Sequence, residues 1–478
     1  MLHFYLNNQR IRTDQPAGST LLDFVRYHQH LKGTKIGCRE GDCGACTVLV
    51  GELQPDNTVQ YQSMTSCLTP LGNAHGKHIV TVEGINAAAG TLTPVQQAIV
   101  QEGGSQCGFC TVGFVMSLTG HSLSTQPATS QTGLAAIDGN ICRCTGYKSL
   151  ERATEALTQQ LAGRDTEQPL SWLAERQFVP AYFQQIPAQL QALRAEQESQ
   201  PATNGHSTEA AQVLGGGTDL LVQRPEHLRE VPVQLVYDRP GLRGIRQQAD
   251  GRVVFGAATT AENLRASPLM QALFPHLPDY MKLISSTPIR NMGTVAGNFI
   301  NASPIGDLTI FFLALNASVT VGVPGKGSRD ILLSDLYSGY KTLTKAANEQ
   351  VLEIHFAAPQ AGDCFNFEKV SKRTHLDIAS VNSAVWLRVA DGFVREARIS
   401  AGGVGPIPLY LARTSASLVG QEITPETVAA ATAIAQSEIS PISDVRGSVD
   451  YKRLLLRQLL FAHFLRLFPE RLTFRELV

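Results

Sequence analysis

The sequence predicts a multidomain α+β chain, and three observations carry that expectation. Its 478 residues exceed what one ordinary core organises, so roughly three domains are expected. Eight of its nine cysteines lie before residue 145, which sets a cysteine-rich N-terminal part against the remainder. The apolar pattern changes twice, from short strands to helical periodicity near residue 93 and to mixed strand and helix from residue 211.

Taken in order, residues 3–6 and 9–12 are short strands split by Asn7-Asn8, a hairpin turn. Thr20 is the N-cap of a helix with apolar Leu21, Leu22, Phe24 and Val25. Then comes GCREGDCGACTVLV and, one hairpin later, TSC, placing cysteines at 38, 43, 46 and 67. This C-x4-C-x2-C spacing with a distant fourth cysteine is the ligand pattern of a plant-type 2Fe–2S cluster. Gly37, Gly41 and Gly44 are expected to give the loop φ > 0 freedom and to let amide N–H groups face sulfur. Structural zinc sites repeat a C-x2-4-C knuckle, which the x4 gap fits poorly. Strand, hairpin and helix ahead of such a loop make a β-grasp domain. Thr47–Val50 is a strand leaving the loop, Asp56-Asn57 turns it back, and the segment from Ile79 closes the domain.

A helical unit follows. Thr93, Pro94 and Gln96 form a capping box with proline at the first helical position, and Gly103-Gly104 ends that helix. SQCGFCTVGFVMSL feeds a second helix from about Thr111 to Leu118. NICRCTGY precedes a third, with Leu150, Ala153, Leu157 and Leu161 inward. Cys107, Cys110, Cys142 and Cys144 are therefore four more candidate ligands near helix ends, where the positive dipole end suits an anionic centre. By itself C-x2-C…C-x-C fits zinc as well as iron–sulfur. Residues 163–205, rich in Gln, Glu, Ala and Ser, are expected as a linker with some order around Trp172 and Phe178–Phe183. Beyond it, a strand ending at Leu214 runs into Gly215-Gly216-Gly217, with Thr218 as expected helix cap, followed by Asp219 and Leu220. A strand, a glycine loop and a helix start is one way to bring backbone N–H groups to a pyrophosphate; a structural turn reads equally well there. The loop is neither a P-loop nor G-x-G-x-x-G.

Two cysteine quartets in tandem, written GCREGDCGACTV, GSQCGFCT and GNICRCTGY, resemble the molybdenum hydroxylases, the xanthine dehydrogenase and aldehyde oxidase family. One departure is Val112, where the family usually has proline. TPIRNMGTVAGNFINASPIGDLTIFFLAL, SGYKTL and FEKVSKRTHLDIASVNSAV extend the resemblance through the family's flavin module. It implies an organisation of a β-grasp 2Fe–2S domain at 1–86, an all-α 2Fe–2S domain at 87–162, the linker, an α+β FAD-binding domain at 206–362 and a C-terminal α/β subdomain at 363–478. For FAD it implies the loop Gly215, Gly216, Gly217, Thr218, Asp219 and Leu220, a second loop of Gly293, Thr294, Gly297 and Asn298, and Asp307 on a ribose hydroxyl. Tyr340 and Lys341 fall where relatives contact a nicotinamide cofactor. Lys369 would sit near the flavin ring, Lys372 is a weaker candidate, and Gln106 would stand beside the pterin. Arg143 is expected to be an ion-pair or subunit-contact residue, His375 a surface or structural one, and Cys364 an inert buried thiol.

The resemblance is closest to the iron–sulfur/FAD subunit of the bacterial two-subunit members. It implies electron transfer from a molybdopterin centre on a larger partner chain, through two 2Fe–2S clusters and FAD, to NAD. Hypoxanthine and xanthine are the implied substrates, with an aldehyde or another N-heterocycle such as nicotinate as alternatives. Because the sequence ends at Val478, shortly after the flavin module, the molybdenum domain is expected on that partner, in a dimer of heterodimers. A zinc scaffold with two four-cysteine sites is the alternative of a different class. Hydrophobic content is 43% and net charge −1, so neither nucleic acid nor an anionic membrane is implied. The start lacks a signal-peptide pattern, and no apolar run reaches the ~18 residues that span a bilayer, so a cytoplasmic location is expected.

Overall fold

The structure is a computed structural model, which describes residues 1–86, 90–199, 211–323 and 326–477. It divides into two compact units, Met1–Tyr237 with Ser286–Gly293, and Asp238–Ser285 with Thr294–Val478.

The first unit opens with a five-stranded mixed sheet in the order Gln9–Thr13, Leu2–Leu6, His78–Val80, Thr47–Leu53, Val59–Thr65. The Asn7-Asn8 hairpin forms as expected, with Asn7 in the left-handed region. Leu2–Leu6 then pairs in parallel with His78–Val80, the crossover that makes this a β-grasp. Thr20 accepts a hydrogen bond from Asp23 N and starts the helix that covers the sheet, burying Leu21, Leu22, Phe24 and Val25. Asn57, also at positive φ, closes the hairpin between Leu53 and Val59. Helices Pro94–Gln101, Thr111–Leu123, Ser130–Ala136 and Lys148–Gln160 follow. The Thr93–Gln96 capping box is present, and the helix at Thr111 starts without a proline at 112. Phe114, Met116, Leu118, Leu150, Ala153 and Leu157 fill the core of this helical part.

The stretch expected as a linker departs from expectation. Helices Pro169–Glu175 and Ile186–Ser199 run through it. Its composition is polar, but its few apolar residues fall on inward faces: Leu173, Phe178 and Phe183 join the helical core, while Ile186, Leu190 and Leu193 pack on Leu53. Burial of a sparse stripe suffices for a helix that lies on an existing surface. The expected FAD-domain start at 206 lies outside the described residues. Gln212–Leu214 pairs in parallel with Val233–Leu235 and completes the unit.

The second unit has a five-stranded antiparallel sheet in the order Ser328–Leu332, Ser318–Gly322, Gln350–Ala357, Arg252–Gly256, Ile245–Gln247. Short helices, among them Val295–Ile300 and the largely apolar Asp307–Ala314, pack with it around Phe255, Phe299, Phe311, Phe312 and Phe356. A four-stranded antiparallel sheet of Asp363–Val370, Val381–Ala390, Phe393–Gly402 and Leu409–Tyr410 follows, covered by helices Pro425–Glu438 and Val449–Leu467. Among the described residues no helix is long and apolar enough to cross a membrane.

Candidate metal centres and flavin site

Both cysteine quartets lie in the first unit, and in both the thiols stand as pairs. The free thiols of Cys38 and Cys43 are hydrogen-bonded, as are those of Cys46 and Cys67. Cys144 Sγ lies 3.6 Å from Cys107 Sγ, and the thiols of Cys110 and Cys142 are hydrogen-bonded. Among the described residues no three such side chains close on one ion position. Paired thiols are what a binuclear cluster takes, since each of its two irons binds two terminal sulfurs. The residues fit the group.

The local reasons are legible. Gly41 and Gly44 adopt φ of +75° and +69°, as expected. Gly37 does not, and its need is room, because a Cβ there would lie 2.6 Å from Cys43 Sγ. The amides of Glu40 and Asp42 each donate to Cys38 Sγ at 3.3 Å. The neighbouring Cys43 thiol, against the effect of burial and together with those amides, holds Cys38 down to about 5. Its partner Cys43 is pushed up, chiefly by the same hydrogen bond. Cys67 lowers Cys46 in the same way and is itself raised. In the second quartet burial raises Cys142, but the Thr145 hydroxyl at 3.2 Å and the amides of Cys144 and Thr145 outweigh it and leave the thiol at about 7. Cys110 is pushed up to about 12, first by burial and then by Cys142. N–H and O–H donors that stabilise negative sulfur are the outer contacts that tune an iron–sulfur centre.

The two ligand loops touch. Ile141 N donates to Cys43 O at 3.1 Å, one residue before the ligand Cys142, and Asn140 Nδ2 donates to Gly44 O at 3.3 Å. A Cβ on Gly44 would collide with Gly139 and Asn140, so the seam needs glycine. Sequence reasoning missed Asn140, Ile141 and Thr145. All three stand inside the quoted GNICRCTGY, yet their partners are remote in sequence or are decided by the folded loop. Gln106 is exposed beside exposed Cys107, and Arg143 is exposed between two ligands.

The candidate flavin residues divide between the units. In the first, Gly215–Gly217 form a surface made of backbone. Asn73 Nδ2 donates to Gly215 O at 2.9 Å, a Cβ on Gly216 would fall inside the Met292 carbonyl, and Gly217 turns at φ +84°. Gly293 lies beside Thr218 in the same unit. Thr218 is not the helix cap that was expected. The helix Leu220–Gln223 is a single turn whose N-cap is Asp219, without a side-chain cap bond, and Asp219 instead accepts from Gln223 Nε2 at 2.8 Å. In the second unit Thr294 caps Val295–Ile300 by accepting from Gly297 N. Asn298 Oδ1 accepts from Thr309 N and Oγ1, both at 3.0 Å, and so joins that helix to the next. Glycine backbone and a capped helix start are a donor set suited to a diphosphate, so the residues of each unit fit FAD.

Asp307 and Lys369, both expected at the flavin, lie against each other. Lys369, with a side chain 1% exposed, donates to Asp307 Oδ2 at 2.7 Å and to the carbonyls of Leu283 and Asp377. Its three N–H donors are thereby engaged. Asn382 Nδ2 holds the other Asp307 oxygen at 2.6 Å. Burial draws the two charges together where the sequence shows only a lysine and an aspartate far apart. Tyr340 is 67% exposed, and Lys341 Nζ donates to Asn301 O at 2.7 Å. Lys372 donates to Val445 O, His375 meets Lys282 O, and Cys364 is a half-buried thiol raised by burial.

Comparison with known proteins accords with this geometry. Residues 4–72 match the family described as 2Fe-2S iron-sulfur cluster binding domain, and 81–155 that described as [2Fe-2S] binding domain. Residues 186–359 match the FAD binding domain in molybdopterin dehydrogenase, and 367–467 the CO dehydrogenase flavoprotein C-terminal domain. A solved chain of carbon monoxide dehydrogenase from Hydrogenophaga pseudoflava is 30% identical at a TM-score of 0.52, covering 56% of this chain and 92% of that one. Xanthine dehydrogenase of Drosophila pseudoobscura pseudoobscura is 28% identical over 97% of this chain, and so is aldehyde oxidase 1 of Bos taurus. This chain spans 39% of the length of either relative. The matches to two 2Fe–2S domains and an FAD domain set aside the zinc scaffold. With two iron–sulfur domains followed by an FAD domain, the chain belongs to the molybdenum hydroxylase family.

Proposed function

We propose that this chain carries electrons from a molybdopterin centre on a larger partner polypeptide to FAD and on to NAD, in the oxidation of hypoxanthine and xanthine to urate. When bound, two one-electron clusters and a flavin that exchanges one or two electrons supply the redox chemistry. The observation that carries the reading is the hydrogen bond from Ile141 N to Cys43 O, which joins the ligand loops of the two quartets at 3.1 Å. Cys107, Cys110, Cys142 and Cys144 would hold the cluster facing the partner, beside exposed Gln106. Cys38, Cys43, Cys46 and Cys67 would hold the inner one. Gly215–Gly217 in the first unit and Thr294–Asn298 in the second are each candidates to contact FAD, and exposed Tyr340 with Lys341 would meet the nicotinamide acceptor. A dimer of heterodimers in the cytoplasm completes the proposal.

The equal identity to an aldehyde oxidase supports a second reading, in which an aldehyde replaces the purine. The test is to purify the chain natively with whatever copurifies, count iron, FAD and molybdenum, and then add xanthine or an aldehyde with NAD. About four irons and one FAD per chain, with NADH formed from xanthine, is the expected result. NADH or flavin reduction from aldehyde alone selects the second reading. A complex without FAD overturns both.

A further inference from the structure

Ser286–Gly293 falls within the sequence that matches the FAD-binding family, yet it packs as part of the iron–sulfur unit. Its attachments are specific. Thr287 N donates to Asp138 Oδ1 at 2.8 Å, and Thr287 Oγ1 donates to Ala135 O at 2.8 Å. Arg290 Nη2 lies 3.2 Å from Asp138 Oδ2, in a pair whose side chains are 3% and 4% exposed, and also donates to Thr287 Oγ1 at 2.7 Å. Asn291 Nδ2 donates to Ser63 O at 2.8 Å and Asn291 O accepts from Tyr237 OH at 2.7 Å. The Met292 sulfur receives the hydroxyls of Thr65 and Thr69.

The far ends of these contacts are what matter. Asp138 stands four residues before Cys142. Thr65 and Thr69 each stand two residues from Cys67. Ile289 packs against Gly41, between Cys38 and Cys43, so closely that a Cβ there would lie 2.7 Å from its Cδ1. At its other end the segment's Met292 carbonyl abuts Gly216 of the glycine loop. Eight residues thus join three ligand loops to one flavin loop, and Asp138 with Arg290 is a buried ion pair among these contacts.

We propose that Asp138 and Arg290 are positioning residues, a clasp that holds the Gly215–Gly217 and Gly293 backbone in register with the cluster-ligand loops. FAD affinity and the arrival of electrons at the flavin then both depend on a salt bridge that touches neither group. The proposal rests on the flavin reading above. Its physical basis is that a buried pair with one partner neutralised leaves an uncompensated charge, which the segment relieves by moving.

The test uses the purified complex stripped of FAD, as wild type, Asp138→Asn and Thr287→Val. FAD is titrated back by fluorescence quenching, iron and the two cluster signals are recorded by electron paramagnetic resonance, and flavin reduction is followed after flash photoreduction. Asp138→Asn is expected to weaken FAD binding by about tenfold or more and to slow flavin reduction, with iron and both cluster signals unchanged. Thr287→Val, which removes only hydroxyl bonds, is expected to weaken binding a few-fold, with Thr287→Ser restoring it. FAD affinity and flavin reduction within twofold of wild type in both variants, with clusters intact, would overturn the clasp. If Asp138→Asn does not fold, Thr287→Val and its serine rescue decide alone. A wild type that takes up no FAD overturns the flavin reading itself.

Discussion

The two cysteine quartets bind by the same pairing logic in opposite surroundings. In the first, Cys46 and Cys67 are each 2% exposed and sit in the core with Val48, Met64 and Leu68. In the second, Cys107 and Cys144 are exposed, and only Cys142 is buried. A ligand such as Cys67, two residues beyond the strand Val59–Thr65, inherits the burial of that sheet. Ligands at helix ends and turns inherit a surface. One quartet is thereby enclosed and the other open on one side.

The sharpest way to break this comparison is to remove one ligand from each set. Cys67→Ser is expected to abolish the first cluster and, by exposing a hole in the sheet core, to lower the melting temperature of the unit. Cys144→Ser is expected to abolish the second with a much smaller thermal effect. Iron counts falling from about four to two in both variants, but melting curves that differ, would bear this out. Equal melting curves would say that burial of the ligands does not distinguish the sets.

Lys369→Met, in the other unit, is the control. It leaves the buried Asp307 carboxylate without its cation and is expected to cost about 3–5 kcal/mol by chemical denaturation, with both cluster signals retained. Gly44→Ala attacks the seam itself. A Cβ at φ +69° against Gly139 and Asn140 is expected to cost roughly 2–4 kcal/mol and to perturb both cluster signals together. A change confined to one signal would mean that the loops are not coupled there.

Residue by residue, the smallest effect is acid sensitivity. Burial holds His78 of the β-grasp domain down to about 3 and His121 of the helical domain down to about 4. Both are neutral in the fold and would protonate near 6.5 when unfolded, so the unfolded chain binds more protons between those values. Their contribution is complete above about pH 6.5 and is lost as pH falls, at roughly 2 kcal/mol each by pH 5. Denaturation midpoints measured from pH 7.5 to 5 should decline accordingly, and His78→Gln should flatten the curve. An unchanged slope would place the sensitivity elsewhere.

Much of this molecule was legible because its signals are local. The Asn7 hairpin, the Thr93 capping box and the C-x4-C-x2-C loop each need only neighbours within a few residues, and each formed. The helices at 169–199 were not legible, because a stripe of Leu173, Phe183, Ile186 and Leu190 becomes a helical face only when a finished domain offers a surface to cover. Thr218 was misread as a cap because a glycine loop followed by threonine is ambiguous within a single turn.

The sequence by itself determined the cysteine spacings, the β-grasp and the order of domains, since spacing, turn chemistry and apolar period act over short range. Only the tertiary structure decided that Asp307 and Lys369 neutralise each other and that Ile141 meets Cys43. It also decided that Ser286–Gly293 sides with the iron–sulfur unit. In each case the deciding energy is the desolvation of a polar group among residues remote in sequence, which no local pattern records.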